Sequence, residues 1–182
     1  IGYFNKMNII VAGTIAYLDG KKRNLIEYAI KNFEPLEHRL EHFLSIGQTK
    51  FINNSVSTNA DSCISSIKLY NNPIILILGG VTKNNNKYEK IFNFIKSKNN
   101  IKKILCYGDS VNEILEINKL FNYNFLITFN NLLECVDYVK DIVNDKDVVL
   151  FSPSCSSFDQ FNNYKERGLK FKQYCNTFFS QD

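Results

Sequence analysis

The sequence has little of what marks membrane, secreted or metal-centred proteins. No stretch approaches the roughly 18 uninterrupted apolar residues that a membrane-spanning helix needs, and the first residues show no secretory signal pattern. Only two histidines are present, and the five cysteines are odd in number, far apart and without a Cys-x-x-Cys pair. These absences argue against a structural zinc site and against a disulfide framework. We expect a cytoplasmic protein without a membrane partner.

A large excess of charge of one sign is missing too. The 182 residues include 22 basic and 18 acidic side chains, and the longest basic run is Lys21 to Arg23. A nucleic-acid partner is therefore not predicted. A Walker A phosphate loop is absent as well, since Gly-x-x-x-x-Gly-Lys-Ser/Thr occurs nowhere in the chain. The net charge of +4 leaves small anionic ligands open.

What is present is an alternation of short apolar strands with helical patterns. Strands are predicted at 74–78, 103–107, 124–128 and 147–151, and helices at 59–70, 88–98, 111–120 and 131–143. A hairpin of strands 43–46 and 50–53 precedes them, and a last helix is predicted from about 159 to 179 with an interruption near Gly168. Strands separated by such helices form parallel sheets with right-handed crossovers. We therefore predict an α/β fold, a mainly parallel sheet with flanking helices and a short antiparallel edge hairpin.

The first candidate site is the segment in which the last strand ends, residues 148–167. An apolar run stops there in the hydroxyl-rich loop Ser152 to Ser157, which leads toward a helix. Open α/β sheets bind ligands at the carboxyl ends of their strands, where free backbone N–H groups and a helix dipole favour an anion. The alternative is a plain turn with Cys155 as a small buried residue. Nucleophilic catalysis is not predicted, because the sequence ties no histidine or acid to these serines.

Other polar segments have two interpretations each. The glycine pair at 79–80 ends a strand shortly before Lys83, which suits either contact with an anion or a plain turn. Arg39 offers a fork for phosphate or carboxylate, or forms an exposed salt bridge. His38 and His42 have the spacing of a metal pair, but no third ligand is evident, so no metal site is predicted.

Taken in order, these segments resemble the bacterial cell-wall Mur ligases, and among them the members that add D-glutamate. Six collinear motifs carry the likeness and cover nearly all of the chain. They are Asn5-x-x-Asn8, Phe33-x-Pro-Leu-x-His38-Arg39-x-Glu41, Asn53-x-Ser55-x-x-Thr58-Asn59, Ile77-Leu78-Gly79-Gly80-x-x-Lys83, Tyr107-Gly108, and Leu150-x-Ser152-Pro153-x-Cys155-x-Ser157-x-Asp159-Gln160-Phe161-x-x-Tyr164-x-x-Arg167-Gly168.

The resemblance implies an ATP-dependent, amide-forming ligase of peptidoglycan precursor synthesis. Such a ligase activates the carboxylate of UDP-N-acetylmuramoyl-L-alanine as an acyl phosphate, which the amine of D-glutamate attacks. The implied cofactors are ATP and Mg²⁺, bound mainly by an upstream domain, and the implied partners are the two small-molecule substrates, with a monomer expected. Because the family's P-loop and magnesium ligands lie outside this chain, the chain alone is expected to be inactive.

The resemblance also implies two domains. Residues 1–33 match the tail of the central ATPase domain and a hinge. Residues 34–182 match the C-terminal, D-glutamate-binding domain, whose sheet is similar to a dinucleotide fold. An apolar helix that starts near residue 5 without a lead-in agrees with a fragment of a longer protein.

By the same resemblance, ten residues match binding positions and none is assigned as catalytic. The positions for D-glutamate are Thr58, Lys83, Ser157, Phe158 and Tyr164. The positions for the nucleotide are Asn5, Asn8, His38, Arg39 and Asn54. A dianionic amino acid needs a cation and hydroxyl donors, and each charge-assisted hydrogen bond contributes about 1.5 to 3 kcal/mol.

The chain departs from the family pattern at four positions. Phe4 replaces a histidine, Asn54 and Val56 replace an acid and a lysine, and Thr82 stands two residues after the glycine pair. The lost charges motivate an alternative function, a degenerate, non-catalytic nucleotide or amino-acid binding domain. A free-standing α/β domain that binds an unrelated nucleotide is a further alternative, supported by the fold pattern only.

Overall fold

The computed structural model describes residues 3–33, 36–82 and 87–179, and within them all side chains except those of residues 3–5 and 87. The helices are α1 (Tyr3–Leu18), α2 (Arg23–Lys31), α3 (Ala60–Ile67), α4 (Lys87–Lys96), α5 (Val111–Phe121), α6 (Leu132–Ile142) and α7 (Tyr164–Phe179). The strands are β1 (Glu41–Ile46), β2 (Thr49–Asn53), β3 (Ile74–Gly79), β4 (Ile101–Tyr107), β5 (Leu126–Phe129) and β6 (Val148–Ser154). No helix in this part of the chain combines the length and apolarity needed to cross a membrane.

The chain divides into two compact units, residues 1–36 and residues 37–182. The first unit consists of α1 and α2, and Gly13 of α1 lies against Ile26 and Ile30 of α2. None of the side chains of α2 is buried, and large apolar residues of both helices are exposed, among them Leu18 and Tyr28. The assignment of the first helices to the tail of an ATPase domain stays a prediction.

The second unit is built on one six-stranded sheet in the order β1-β2-β6-β3-β4-β5. Strands β2, β6, β3, β4 and β5 are parallel to their neighbours, and β1 pairs antiparallel with β2 at the edge. This confirms the predicted mainly parallel sheet with an antiparallel edge hairpin. The chain leaves β3 toward β4 and β5 and then returns across the sheet to β6. The crevice between the carboxyl ends of β3 and β6 is therefore where the strand order reverses, the usual ligand position in such sheets.

Helices cover both faces of the sheet, which explains the unbroken apolar strands. In β3, Ile74, Leu76 and Leu78 belong to the core under α3, α4 and α5, while Ile75 and Ile77 belong to the core under α6 and α7. All six residues of β3 are buried. A central strand with two buried faces can hold its carboxyl end in a fixed position.

The last helix and the last strand differ from their predicted bounds. Helix α7 begins at Tyr164 rather than near 159, because the Asn163 side chain accepts hydrogen bonds from the backbone N–H groups of Lys165 and Glu166 and so caps the helix there. The helix passes through Gly168 without the predicted interruption. Strand β6 continues to Ser154, whose position pairs with Gly79 of β3.

Candidate functional site

Unsatisfied polar atoms collect at the carboxyl edge of the sheet. Among the described residues, buried side-chain atoms without a hydrogen-bond partner include Ser57 Oγ, Ser154 Oγ, Tyr107 OH, Glu113 Oε1 and Asp159 Oδ1. Each of them belongs to the carboxyl end of a strand, or to the loop or first helical turn that follows one. Buried polar atoms in native proteins are nearly always paired with protein, water or a ligand. This edge is therefore the candidate site.

A short backbone bridge closes the crevice between β3 and β6. The Val81 N–H donates to the Ser156 carbonyl over 2.9 Å, and the Ser156 N–H donates to the Val81 carbonyl over 3.2 Å. A Cβ at Gly80 would lie 2.1 Å from the Ser156 oxygen, and the φ of Gly80 is 121°. Only glycine permits this approach, so the glycine pair found in the sequence serves close packing of the two loops.

A second close approach joins β4 to the loop after β6. Gly108 has a φ of 75°, and a Cβ there would lie 2.1 Å from Asp159 Oδ2. The Asp109 N–H donates to the same carboxylate oxygen. Burial raises the pKa of Asp159 above its usual value, and hydrogen bonds from the backbone oppose that rise. The loop after β6 is thus fastened to its neighbours on both sides.

This loop positions three of the predicted D-glutamate residues. The Ser157 side chain is buried. The backbone carbonyl of Ser157 accepts hydrogen bonds from the N–H groups of Gln160 and Phe161, which folds the loop into a tight turn. Phe158 projects outward with 66% of its surface exposed, and Tyr164 at the start of α7 is 36% exposed. A buried hydroxyl and two partly exposed rings are side chains of the kind that line sites for small organic anions.

Thr58 lies in the loop between β2 and α3 and is exposed. Asn59 next to it caps α3 by accepting from the Ser62 N–H over 2.9 Å, which leaves Thr58 outside the helix. The same loop is tied to α7, because Ser55 Oγ donates to the Tyr164 carbonyl over 2.7 Å. The structure therefore links the segments that carry Thr58 and Tyr164.

Lys83, the predicted cation of the site, lies outside the described residues. The residue before it, Thr82, donates through its hydroxyl to Glu113 Oε2 in the first turn of α5. This contact holds Thr82, the last described residue before Lys83, against α5. Glu113 was not predicted from the sequence, since nothing in its local pattern sets it apart from a solvent-facing helical acid.

The predicted nucleotide residues are spread over both units. The Asn5 side chain lies outside the described side chains, and Asn8 is exposed on α1. In the second unit Arg39 is half-buried. Asn54 is buried, where its Oδ1 accepts from the Leu40 N–H and its Nδ2 donates to Ser152 Oγ. Both ends of the Asn54 amide are thus engaged within the protein.

His38 is packed against α7. The ring is 3% exposed, and the backbone has a φ of 64°, which is unusual for a residue other than glycine. The Asn53 amide Nδ2 lies 2.9 Å from His38 Nδ1. Because an amide NH₂ can only donate, Nδ1 accepts and the ring is the neutral form with its proton on Nε2. Burial lowers the pKa of His38, although Glu37 and Glu41 oppose that shift.

The described residues do not offer a fitting magnesium site. The group whose geometry comes closest is Glu37, His38 and Glu41. Lys172 Nζ, however, lies 2.7 Å from a carboxylate oxygen of Glu37 and 2.7 Å from one of Glu41. The ammonium already pairs with both acids, and His38 Nδ1 is occupied by Asn53. Mg²⁺ prefers free oxygen ligands, so no chemistry of this part of the chain is assigned to it.

Arg167 is a further residue that was not assigned a role from the sequence. It lies in α7 with 0% exposure, and its guanidinium donates to Ser55 and to the Cys155 carbonyl. The sequence contained one signal, an arginine beside a glycine on a helix that follows the candidate loop. Its burial could not be inferred from local sequence, because arginines are mostly exposed.

The overall fold defines the class of protein. MurF of Acinetobacter baumannii superimposes with a TM-score of 0.70 at 15% identity, covering 93% of this chain and 38% of that one. The MurF ligase of Thermotoga maritima, solved in complex with ADP, superimposes with a TM-score of 0.69 at 11% identity, covering 97% of this chain and 39% of that one. At such identities the likeness concerns the fold, which is that of the Mur ligases. A scan of protein-family models finds no match.

Sequence comparison narrows this class. The UDP-N-acetylmuramoylalanine–D-glutamate ligase of Caldicellulosiruptor bescii is 33% identical over 175 residues, which is 96% of this chain and 38% of that protein. The ligase of the same name from Prochlorococcus marinus (strain MIT 9312) is 38% identical over 174 residues, 93% of this chain and 36% of that protein. The chain therefore belongs to the Mur ligase family, and it spans less than two fifths of the length of the curated relatives that it matches.

Proposed function

We propose that the chain is the C-terminal part of an ATP-dependent ligase that joins D-glutamate to UDP-N-acetylmuramoyl-L-alanine. Its relatedness to D-glutamate ligases over nearly its whole length supports this proposal. The observation that carries it is structural. Hydrogen bonds fasten the loops that bear Thr58, Ser157 and Phe158 to the start of α7 at Tyr164, at one edge of the sheet. Beside them lie buried polar atoms that have no partner among the described residues.

The second unit supplies binding and orientation in this proposal. The hydroxyls of Thr58 and Ser157 donate to the carboxylates of D-glutamate, and the ammonium of Lys83 balances their charge. Phe158 and Tyr164 flank the carbon chain and exclude water. Holding the amine of D-glutamate against the acyl phosphate converts a bimolecular encounter into an oriented attack, with phosphate as the leaving group.

The proposal also covers the nucleotide-binding residues and the cellular compartment of the protein. His38, Arg39 and Asn54 lie in or beside the loops that approach the site, and Asn5 and Asn8 lie in the first unit; we assign all five to the nucleotide by family likeness. A cytoplasmic location agrees with five cysteines that are all free and buried. Mg²⁺ is left to the part of the ligase outside this chain, and a monomer is expected.

The ligation itself is the test. The full-length protein is incubated with UDP-N-acetylmuramoyl-L-alanine, ATP, Mg²⁺ and D-glutamate, and the dipeptide product and ADP are quantified by chromatography and mass spectrometry. We expect Ser157→Ala and Thr58→Val each to raise the D-glutamate KM about 10- to 100-fold, the equivalent of one charge-assisted hydrogen bond. Lys83→Ala is expected to lower kcat/KM further, since it removes the cation.

Matched controls and contrary outcomes are available. Thr177 is exposed near the end of α7, so Thr177→Val repeats the Thr58 change away from the site and should leave the KM unchanged. A full-length protein that forms no product would contradict the ligase and favour the degenerate binding domain. If Asn54→Asp with Val56→Lys left both the ATP KM and kcat unchanged, the two departures would not have weakened nucleotide contact.

A further inference from the structure

Among the described residues, Arg167 is the largest fully buried side chain, and no acidic side chain is paired with its charge. It is 0% exposed, and none of the ion pairs among residues 3–33, 36–82 and 87–179 includes it. A buried guanidinium without a carboxylate is costly, because the charge loses its hydration. The cost of burying Arg167 is offset only if its hydrogen bonds or its charge contribute to stability or to function.

The hydrogen bonds of Arg167 join two loops that are far apart in sequence. Nε donates to Ser55 Oγ over 3.1 Å and one terminal nitrogen donates to the Ser55 carbonyl over 2.8 Å. The other terminal nitrogen donates to the Cys155 carbonyl over 2.9 Å. A planar fork with fixed donor directions can serve both loops at once, whereas a lysine ammonium is a single point.

Two more segments lie near the same guanidinium, one through Ser55 and one directly. Ser55, which accepts from Arg167, donates its own hydroxyl to the Tyr164 carbonyl. Gly80 packs directly on the fork, since a Cβ at that position would lie 3.1 Å from a terminal nitrogen of Arg167. The four contacted segments are those that carry the proposed D-glutamate residues: Ser55 precedes Thr58, Cys155 precedes Ser157, Gly80 precedes Lys83, and Tyr164 is itself one of them.

We propose that Arg167 is the positioning residue of the D-glutamate site, holding the four binding segments in register and placing a positive charge behind them. The inference rests on the proposed ligase function. In this arrangement the positive charge of Arg167 adds to the attraction of the site for the carboxylates of D-glutamate. None of the described residues that we assign to the nucleotide hydrogen-bonds to the guanidinium, so a defect at Arg167 should affect D-glutamate most.

The test compares the KM for each of the three substrates in the full-length protein. Arg167→Lys keeps the charge and loses the fork, and we expect the D-glutamate KM to rise about 10-fold while the ATP and UDP-substrate KM values stay within about twofold. Arg167→Gln loses the charge as well and should raise the D-glutamate KM further. Ser55→Ala removes one partner of the fork, and a smaller rise in the same parameter is expected even if the arginine variants fold poorly.

Cys175→Ala is the matched control, because Cys175 is fully buried on the same helix, about two turns beyond Arg167. It should lower the thermal midpoint and leave the D-glutamate KM unchanged. Equal changes in all three KM values, or a D-glutamate KM that is unchanged in Arg167→Lys, Arg167→Gln and Ser55→Ala, would overturn the positioning role alone. A wild-type protein that forms no product with D-glutamate overturns the proposed function, and the role of Arg167 with it.

Discussion

Gly168→Ala should destabilise the second unit, although alanine is the better helix former. In an ordinary helix interior this change stabilises by about 1 kcal/mol. Here the added Cβ would lie 2.4 Å from His38 Nδ1 and 2.8 Å from Cγ of the same ring. The ring is buried and held by Asn53, so it cannot move aside without losing that hydrogen bond.

The expected loss of stability has two sources, the overpacking of the His38 ring and the loss of its hydrogen bond with Asn53. Overpacking a tight core site costs about 1 to 3 kcal/mol, and a buried donor left without its acceptor costs about 1 to 3 kcal/mol more. Subtracting the gain in helix propensity, about 1 kcal/mol, leaves a net loss of about 1 to 5 kcal/mol. Because Asn53 Nδ2 also lies near Glu41 and the Gly168 carbonyl, part of its bonding survives and we expect about 2 kcal/mol.

Urea unfolding of the 182-residue chain, followed by circular dichroism, measures this loss. Gly13→Ala is the control, since its Cβ would lie 3.6 Å from Ile26, an ordinary contact, and the transition of residues 37–182 should not change. In a His38→Ala background the obstacle is absent, and Gly168→Ala should there be neutral or stabilising. A Gly168→Ala protein as stable as the wild type would refute the packing argument.

Two further predictions concern titration and thiol chemistry. Folding lowers the pKa of His38 below its usual 6.5, so the unfolded chain takes up the extra proton first as the pH falls. The free energy of unfolding therefore decreases from about pH 6.5 down to the pKa of the folded state. In urea titrations His38→Gln should flatten that part of the pH profile, and a profile identical to the wild type would argue against a buried neutral ring. All five cysteines are buried, and burial raises the pKa of Cys63 to about 12. A thiol reagent at pH 8 should therefore label the folded chain far more slowly than the urea-unfolded chain. Rapid labelling under native conditions would contradict the core packing.

The sequence was most informative where apolar periodicity alone decides the structure. The strands at 74–78 and 103–107 were predictable because each is an apolar run buried on two faces, and the hairpin was predictable from Gly47 between alternating strands. The predicted break at Gly168 was wrong, because helix propensity says nothing of the His38 ring that requires the glycine. Local rules fail where a distant side chain sets the requirement.

The candidate site, too, could be predicted from the sequence only in part. The hydroxyl-rich loop after β6 could be singled out from its place at the end of a strand, since fold topology brings strand ends together. The contacts of Arg167 could not be predicted in this way. Its partner Ser55 is 112 residues away in the sequence and its partner Cys155 is 12 residues away. The role of Lys83 stays a prediction that rests on family likeness and on charge.

The choice of amino acid tests the central claim most directly. The full-length protein is offered UDP-N-acetylmuramoyl-L-alanine and ATP with D-glutamate, L-glutamate or D-aspartate in separate reactions, and the product is identified by mass spectrometry. We predict a single added D-glutamate and little or no product with the other two, because the second carboxylate must reach Ser157 and Thr58 in one orientation. Equal product from L-glutamate, or none from D-glutamate, would contradict a D-glutamate site at the carboxyl edge of this sheet.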